Sequence, residues 1–82
     1  MRRPFRTFEH TGRATTSTFG SLEKACISAE RLARTQGHAE AVVVWDGRTF
    51  VDVARVAADG TRTIYQDALD NVLVKFNARW AA

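Results

Sequence analysis

Disulfide cross-linking is closed to this chain, which has one cysteine, Cys26, and therefore no possible internal bridge. Long apolar runs are missing as well. None approaches the roughly 18 residues that a membrane-spanning helix needs, and the charged N-terminus is not followed by the apolar stretch of a secretory signal. A soluble protein of the reducing cytoplasm is the expectation, with no membrane partner. Catalytic signatures are equally scarce. The chain has no P-loop, no G-x-G-x-x-G and no His-Cys cluster, and its serines, histidines and acids show no arrangement that reads as a triad. His10 and His38 each lack a second ligand at metal spacing, so neither a metal nor another cofactor is expected. Asp46 and Asp59 each precede a glycine and read as turn residues. Asp67 and Asp70 lie one helical turn apart where a helix begins, which accounts for them without acid-base chemistry. No enzyme is expected.

What the chain does contain is the ordinary material of a small globular protein, with 45% apolar and 26% charged residues in 82 positions. That length supports one domain over residues 1–82, with residues 1–4 as a candidate mobile arm, and leaves little room for an enclosed active-site cavity. The net charge of +3 is unevenly placed. Arg2, Arg3, Arg6 and Arg13 stand against Glu9 in the first twenty residues, and the remainder is balanced, eight basic residues against eight acidic. The basic excess therefore belongs to the N-terminal quarter and not to the body that would track a phosphate backbone.

The clearest periodicity runs from Ser21 to Gln36. Leu22, Ala25, Cys26, Ala29, Leu32 and Ala33 recur at i, i+3, i+4 and i+7, which predicts one buried face of a helix. Ser21 is placed to cap it, Glu23 and Arg34 suit the two ends of its dipole, and Gly37 falls where a left-handed residue terminates helices. Cys26 lies on the buried face, where a thiol serves as a small hydrophobe.

Around this helix the pattern is β. Phe5–Glu9 and Ala14–Phe19 predict a hairpin turning near His10. Pro4 lacks a backbone donor and is compatible with the start of an edge strand. Beyond Gly37, the segments Ala41–Trp45, Thr49–Ala57 and Thr61–Gln66 predict a meander closed at Asp46-Gly47 and Asp59-Gly60. A two-residue Asp46-Gly47 turn pairs Val42 with Val51, Val44 with Thr49, Val43 with Phe50 and Trp45 with Arg48. Val42, Val44, Val51 and Val53 then face the alanines, while Val43, Trp45, Arg48, Phe50 and Asp52 face away. The second turn is compatible with two residues or with three and a glycine bulge. The two-residue form is preferred, because it keeps Ile64 with Val53 on the buried side and Tyr65 with Val56 on the other. From about Ala68 to Arg79, with Asp67 as the cap, Leu69, Val72, Leu73, Phe76 and Trp80 form a second helical stripe. The predicted class is α+β, an N-terminal hairpin plus a three-stranded meander with two helices, in the order β-β-α-β-β-β-α.

The segment Ser21–Trp80, read as α-β-β-β-α, resembles in topology the double-stranded-RNA-binding domain, which implies two helices on one face of an antiparallel sheet. In that family the last helix opens on lysines that meet phosphate. Here the same place reads Gln66-Asp67-Ala68-Leu69-Asp70-Asn71, so no RNA-binding residue carries over. The strand ending Thr18-Phe19, the alanine-rich helix Leu22–Ala33 and the Asp-Gly hairpins resemble small mobile-element inhibitors of the anti-CRISPR type. That likeness implies a protein that acts by occupying the surface of a larger assembly.

Three groups of residues are candidates for such contact. Trp45, Arg48 and Phe50 combine aromatic and basic character on the outward side of the meander, a patch suited to a protein, to stacked bases, or to a second copy in a homodimer. Ile27 lies off the buried stripe of the first helix, beside Arg31 and Arg34. Arg2, Arg3, Arg6 and Arg13 make the N-terminal hairpin the place for nucleic acid. The leading expectation is an inhibitor or regulator that binds a protein or nucleoprotein complex. The alternative is a nucleic-acid-binding module built on the basic hairpin.

Overall fold

The structure, a computed structural model, describes residues 3–8 and 14–81, the side chains of 14–16 and 79–81 excepted. Arg2, His10, Arg13 and the Trp80 side chain therefore lie outside it. Helix α1 spans Leu22–Gln36 with both ends as the sequence predicts. The Ser21 hydroxyl accepts a hydrogen bond from the Lys24 N–H at 3.2 Å. At the other end Gly37 sits at φ 73°, in the left-handed region, and its N–H donates to the Ala33 carbonyl at 2.8 Å. Ala25, Cys26, Ala29 and Ala33 are all buried, which lets the helix lie close against a sheet.

Five antiparallel strands form that sheet: β1 Phe5–Phe8, β2 Ala14–Phe19, β3 Glu40–Trp45, β4 Phe50–Val56 and β5 Arg62–Ile64. Their spatial order is β2-β1-β3-β4-β5, so the chain returns from α1 to lay β3 against β1 and join the hairpin to the meander. This makes β1 an interior strand, not the edge strand that Pro4 had indicated. Pro4 stands just before the first paired residue, Phe5, so its missing donor falls outside the ladder.

The register of the first meander hairpin differs from the expected one. Trp45 pairs with Phe50, Val44 with Val51 and Val43 with Asp52. The Asp46 carboxylate is the cause: its Oδ1 accepts from the N–H groups of Arg48 at 2.7 Å and Thr49 at 2.8 Å. Aspartate thereby takes the first turn position rather than a central one, and Gly47, at φ 104°, with Arg48 forms the apex. The Asp46 N–H closes the turn on the Thr49 carbonyl at 3.0 Å. From Trp45 to Val43 each pairing slides by two residues, an even number, so these side chains keep their predicted faces, whereas Val42, expected opposite Val51, slides by three to Ala54.

A bulge then breaks the alternation. Between the pairs Val43–Asp52 and Val42–Ala54, Val53 is the extra residue on β4. Ala54 and Val56 consequently turn to the helix side with Val53, all three fully buried, and Arg55 turns outward. The β4–β5 turn is the three-residue form, against the two-residue preference. The Gly60 N–H donates to the Ala57 carbonyl at 2.9 Å, the Ala57 N–H to the Thr61 carbonyl at 2.8 Å, and Gly60 has φ 91°. Ile64 accordingly pairs with Ala54 and is 38% exposed, while Val56, expected outside, pairs with Arg62 and is buried.

Helix α2, Gln66–Ala81, starts earlier than the sequence predicts, with the Tyr65 carbonyl accepting from the Leu69 N–H at 2.9 Å. Asp67 falls in its first turn and is not the cap. Leu69 and Val72 are buried and Leu73 and Phe76 half-buried. Both helices pack on the same side of the sheet, over Phe5, Val42, Val44, Val53 and Val56. Each of the four valines contributes about 1.5–3 kcal/mol by leaving water. No helix of the described residues is long and apolar enough to cross a membrane.

Candidate functional site

The sheet side opposite the helices carries aromatic and charged side chains from three strands. Strand alternation and the register put Arg6 and Phe8 of β1, Val43 and Trp45 of β3, and Phe50, Asp52 and Arg55 of β4 on that side. Val43 lies in the middle row, flanked by Arg6 and Asp52, and is only 1% exposed. Aromatic rings gather on the same side of the sheet. The Phe8 and Phe50 centroids are 5.7 Å apart across the β3 strand, and Trp45 meets Phe50 edge-on at 4.9 Å. Such contacts are each worth about 0.5–1.5 kcal/mol beyond area burial and hold the rings in place. Trp45 keeps 36% of its surface in water, more than expected for an aromatic whose only role is packing.

Arg48, expected opposite Trp45, instead occupies the exposed apex of the turn, and Phe50 takes the place across from the tryptophan. Asp46 is committed to the turn. Hydrogen bonds from the Thr49 and Arg48 N–H groups hold its carboxyl below the usual carboxylate range, so it remains ionised as a structural acceptor.

The helix candidates occupy the opposite side of the molecule. Ile27 is 42% exposed and Arg31 is exposed, but Arg34 pairs with Glu30 at 3.1 Å. Arg62 likewise bonds Glu23 at 2.7 Å, tying the start of β5 to the first turn of α1. A surface containing Ile27 and Arg31 therefore cannot be continuous with one containing Trp45, and the predicted partner-binding set divides in two. Of the N-terminal arginines, Arg3 is exposed just ahead of β1 and Arg6 joins the outer sheet face, while Arg2 and Arg13 lie outside the described residues.

Sequence reasoning missed Phe8 and Arg55 as members of the outer face. Phe8 alternates with Thr7, which is a usable signal, but which strand would receive β1 has no local signature. Arg55 reaches the face only through the β4 bulge. Burial pushes the Cys26 thiol up, away from the reactive thiolate. Among the described residues, no three or more of His, Cys, Asp and Glu are grouped closely enough to hold a metal ion. No protein family matches the chain, nor does any curated protein or solved structure.

Proposed function

We propose that this chain works by binding rather than by chemistry, as a small cytoplasmic inhibitor or regulator that occupies a surface of a larger protein or nucleoprotein assembly through its outer sheet face. The observation that carries this reading is Trp45, 36% exposed yet braced by Phe50, which in turn meets Phe8, with Arg55 exposed on the same side of the sheet and Arg48 exposed at the adjoining turn. Tryptophan and arginine dominate the energetics of contact surfaces, and a ring already held by its neighbours loses little freedom on binding. The alternative, nucleic-acid binding by the basic hairpin, is supported by the position of Arg6. Strand β1 places it beside Val43, so the hairpin and the aromatic patch form one surface.

The test is Arg48→Glu. Its side chain is exposed at a turn, so the melting temperature should stay close to that of the native chain. Reversing a charge within a contact surface, by contrast, should weaken a complex recovered from host extract by about 2–5 kcal/mol. Lys24→Glu, on the helix side, controls for net charge. Full retention of the complex by both variants would remove the outer face from consideration and leave Ile27 and Arg31 to be tested by Ile27→Asp.

A further inference from the structure

Beyond the larger assembly proposed above, we infer that the outer face of the free protein is covered by a second copy of this chain, related to the first by a two-fold axis that runs along β3. Both helices cover one side of the sheet, and no described helix lies on the other. That bare side is built like a protein interface. The Phe8 and Phe50 centroids, 5.7 Å apart, bring those rings together across β3, and Trp45 continues the group towards the β3–β4 turn. Arg6, Asp52 and Arg55 stand around the rings, giving an apolar centre within a charged surround. A sheet face with such a centre is stabilised by packing against a further layer.

The arrangement of charge selects that layer. Arg6 on β1 and Asp52 on β4 pair with the same residue, Val43, from opposite sides, so each stands one strand spacing, about 4.8 Å, from β3. A two-fold axis parallel to β3 and passing over Val43 exchanges the two flanks. Arg6 of each copy then meets Asp52 of the other, twice in one dimer, and Trp45 meets its own counterpart on the axis. Arg55 fits the same operation. It pairs with Ala41 on one flank while Phe8 pairs with Ala41 on the other, so each Arg55 comes beside Phe8 of the second copy and not beside its like. A two-fold axis at right angles to the strands would instead set Arg6 on Arg6 and Asp52 on Asp52. Packed sheets cross at about 30°, which displaces residues at this spacing by only about 2.4 Å, within reach of an arginine side chain. An unrelated partner would need the inverse pattern of charge, which a second copy carries by symmetry. The dimer covers the surface assigned above to the assembly, so the two compete, and self-association limits the fraction of chain free to bind.

Sedimentation velocity on the full chain from about 1 to about 200 µM tests the inference, and the native chain should pass from monomer to dimer across that range. Arg6→Asp alone sets acid against acid, and Asp52→Arg alone sets arginine against arginine, so each variant should dimerise at least about tenfold more weakly. Mixed in equal amounts, the two variants should form a heterodimer close to the native dimer in affinity, because both of its contacts again join opposite charges. If either variant fails to fold by circular dichroism, Arg6→Gln and Asp52→Asn take their place, each weakening the dimer about threefold. A native chain that stays monomeric, charge reversal without effect on dimerisation, or a mixture that forms no heterodimer would overturn the inference. A monomeric chain whose complex with host protein is still lost in Arg48→Glu would keep the face as the contact surface and remove the second copy. Heterodimer rescue together with full retention of that complex by Arg48→Glu would establish the dimer and remove the assembly from this face.

Discussion

Replacing Ala29 with leucine probes the closeness of α1 to the sheet, the contact on which the whole arrangement depends. Ala29 is fully buried, as are Ala25 and Ala33 on the same helix face and Val42 and Val44 in the core opposite. Leucine adds three carbon atoms at this point. Were there space for them, their removal from water would stabilise the fold by about 2.4 kcal/mol. The neighbouring side chains are themselves sealed from solvent, so the extra atoms must displace the helix or force strained rotamers, and the net result is a loss of about 1–3 kcal/mol. For a chain of this size a loss near the middle of that range lowers the melting temperature by roughly 10 °C. It also moves the urea midpoint down by about 1–2 M. Lys24→Ala, on the exposed side of the same helix, should change stability by under about 0.5 kcal/mol. Equal urea midpoints for the two variants would refute the packing of α1 through its alanines.

Three other perturbations test the turns and the register. Gly47→Val forces a β-branched residue to φ 104° and should cost at least about 1–2 kcal/mol, read as a lowered melting temperature. Val56→Thr places a hydroxyl in the core and should cost about 1–3 kcal/mol, whereas Ile64→Thr, at a site 38% exposed, should cost under about 1 kcal/mol. The reverse order in denaturant titrations would indicate the two-residue β4–β5 turn. Asp46 has a folded pKa depressed below its unfolded value by the two turn hydrogen bonds. Its contribution is therefore complete above the unfolded carboxylate pKa of about 3.9 and is lost as pH falls through the lower folded value. Asp46→Asn keeps an acceptor oxygen but cannot titrate, so its urea midpoint should decline less steeply below pH 4 than that of the native chain; identical slopes would show that Asp46 does not stabilise the turn as a carboxylate.

Much of this architecture was legible without coordinates because it is local. Ser21, the alanine stripe and Gly37 specify α1 within one short segment, and the alternation in β3 sorts Val42 and Val44 from Val43 and Trp45 whichever partner each finally meets. The α2 stripe from Leu69 to Phe76 is local in the same sense. What eluded sequence reasoning depended on choices between near-equivalent local geometries or between distant segments. Asp46 and Gly47 can occupy the centre of a turn or its first two positions. The choice was made by an aspartate oxygen that satisfies two N–H groups at once. The β4 bulge reverses the faces of Ala54, Arg55 and Val56, and it is favoured because it buries Val56 along with Val53, a gain visible only once a core exists to receive both.

The candidate surface shows the same division. Trp45 and Phe50 were recognisable as outward aromatics from strand alternation alone. Their union with Arg6 and Phe8 followed from β1 pairing with β3, an association between segments more than thirty residues apart in the chain. Local propensity sets which residues share one face of one strand. Only the free energy of closing the sheet, summed over the whole core, sets which strands lie side by side, and that is what turned two separate sequence features into a single basic, aromatic surface.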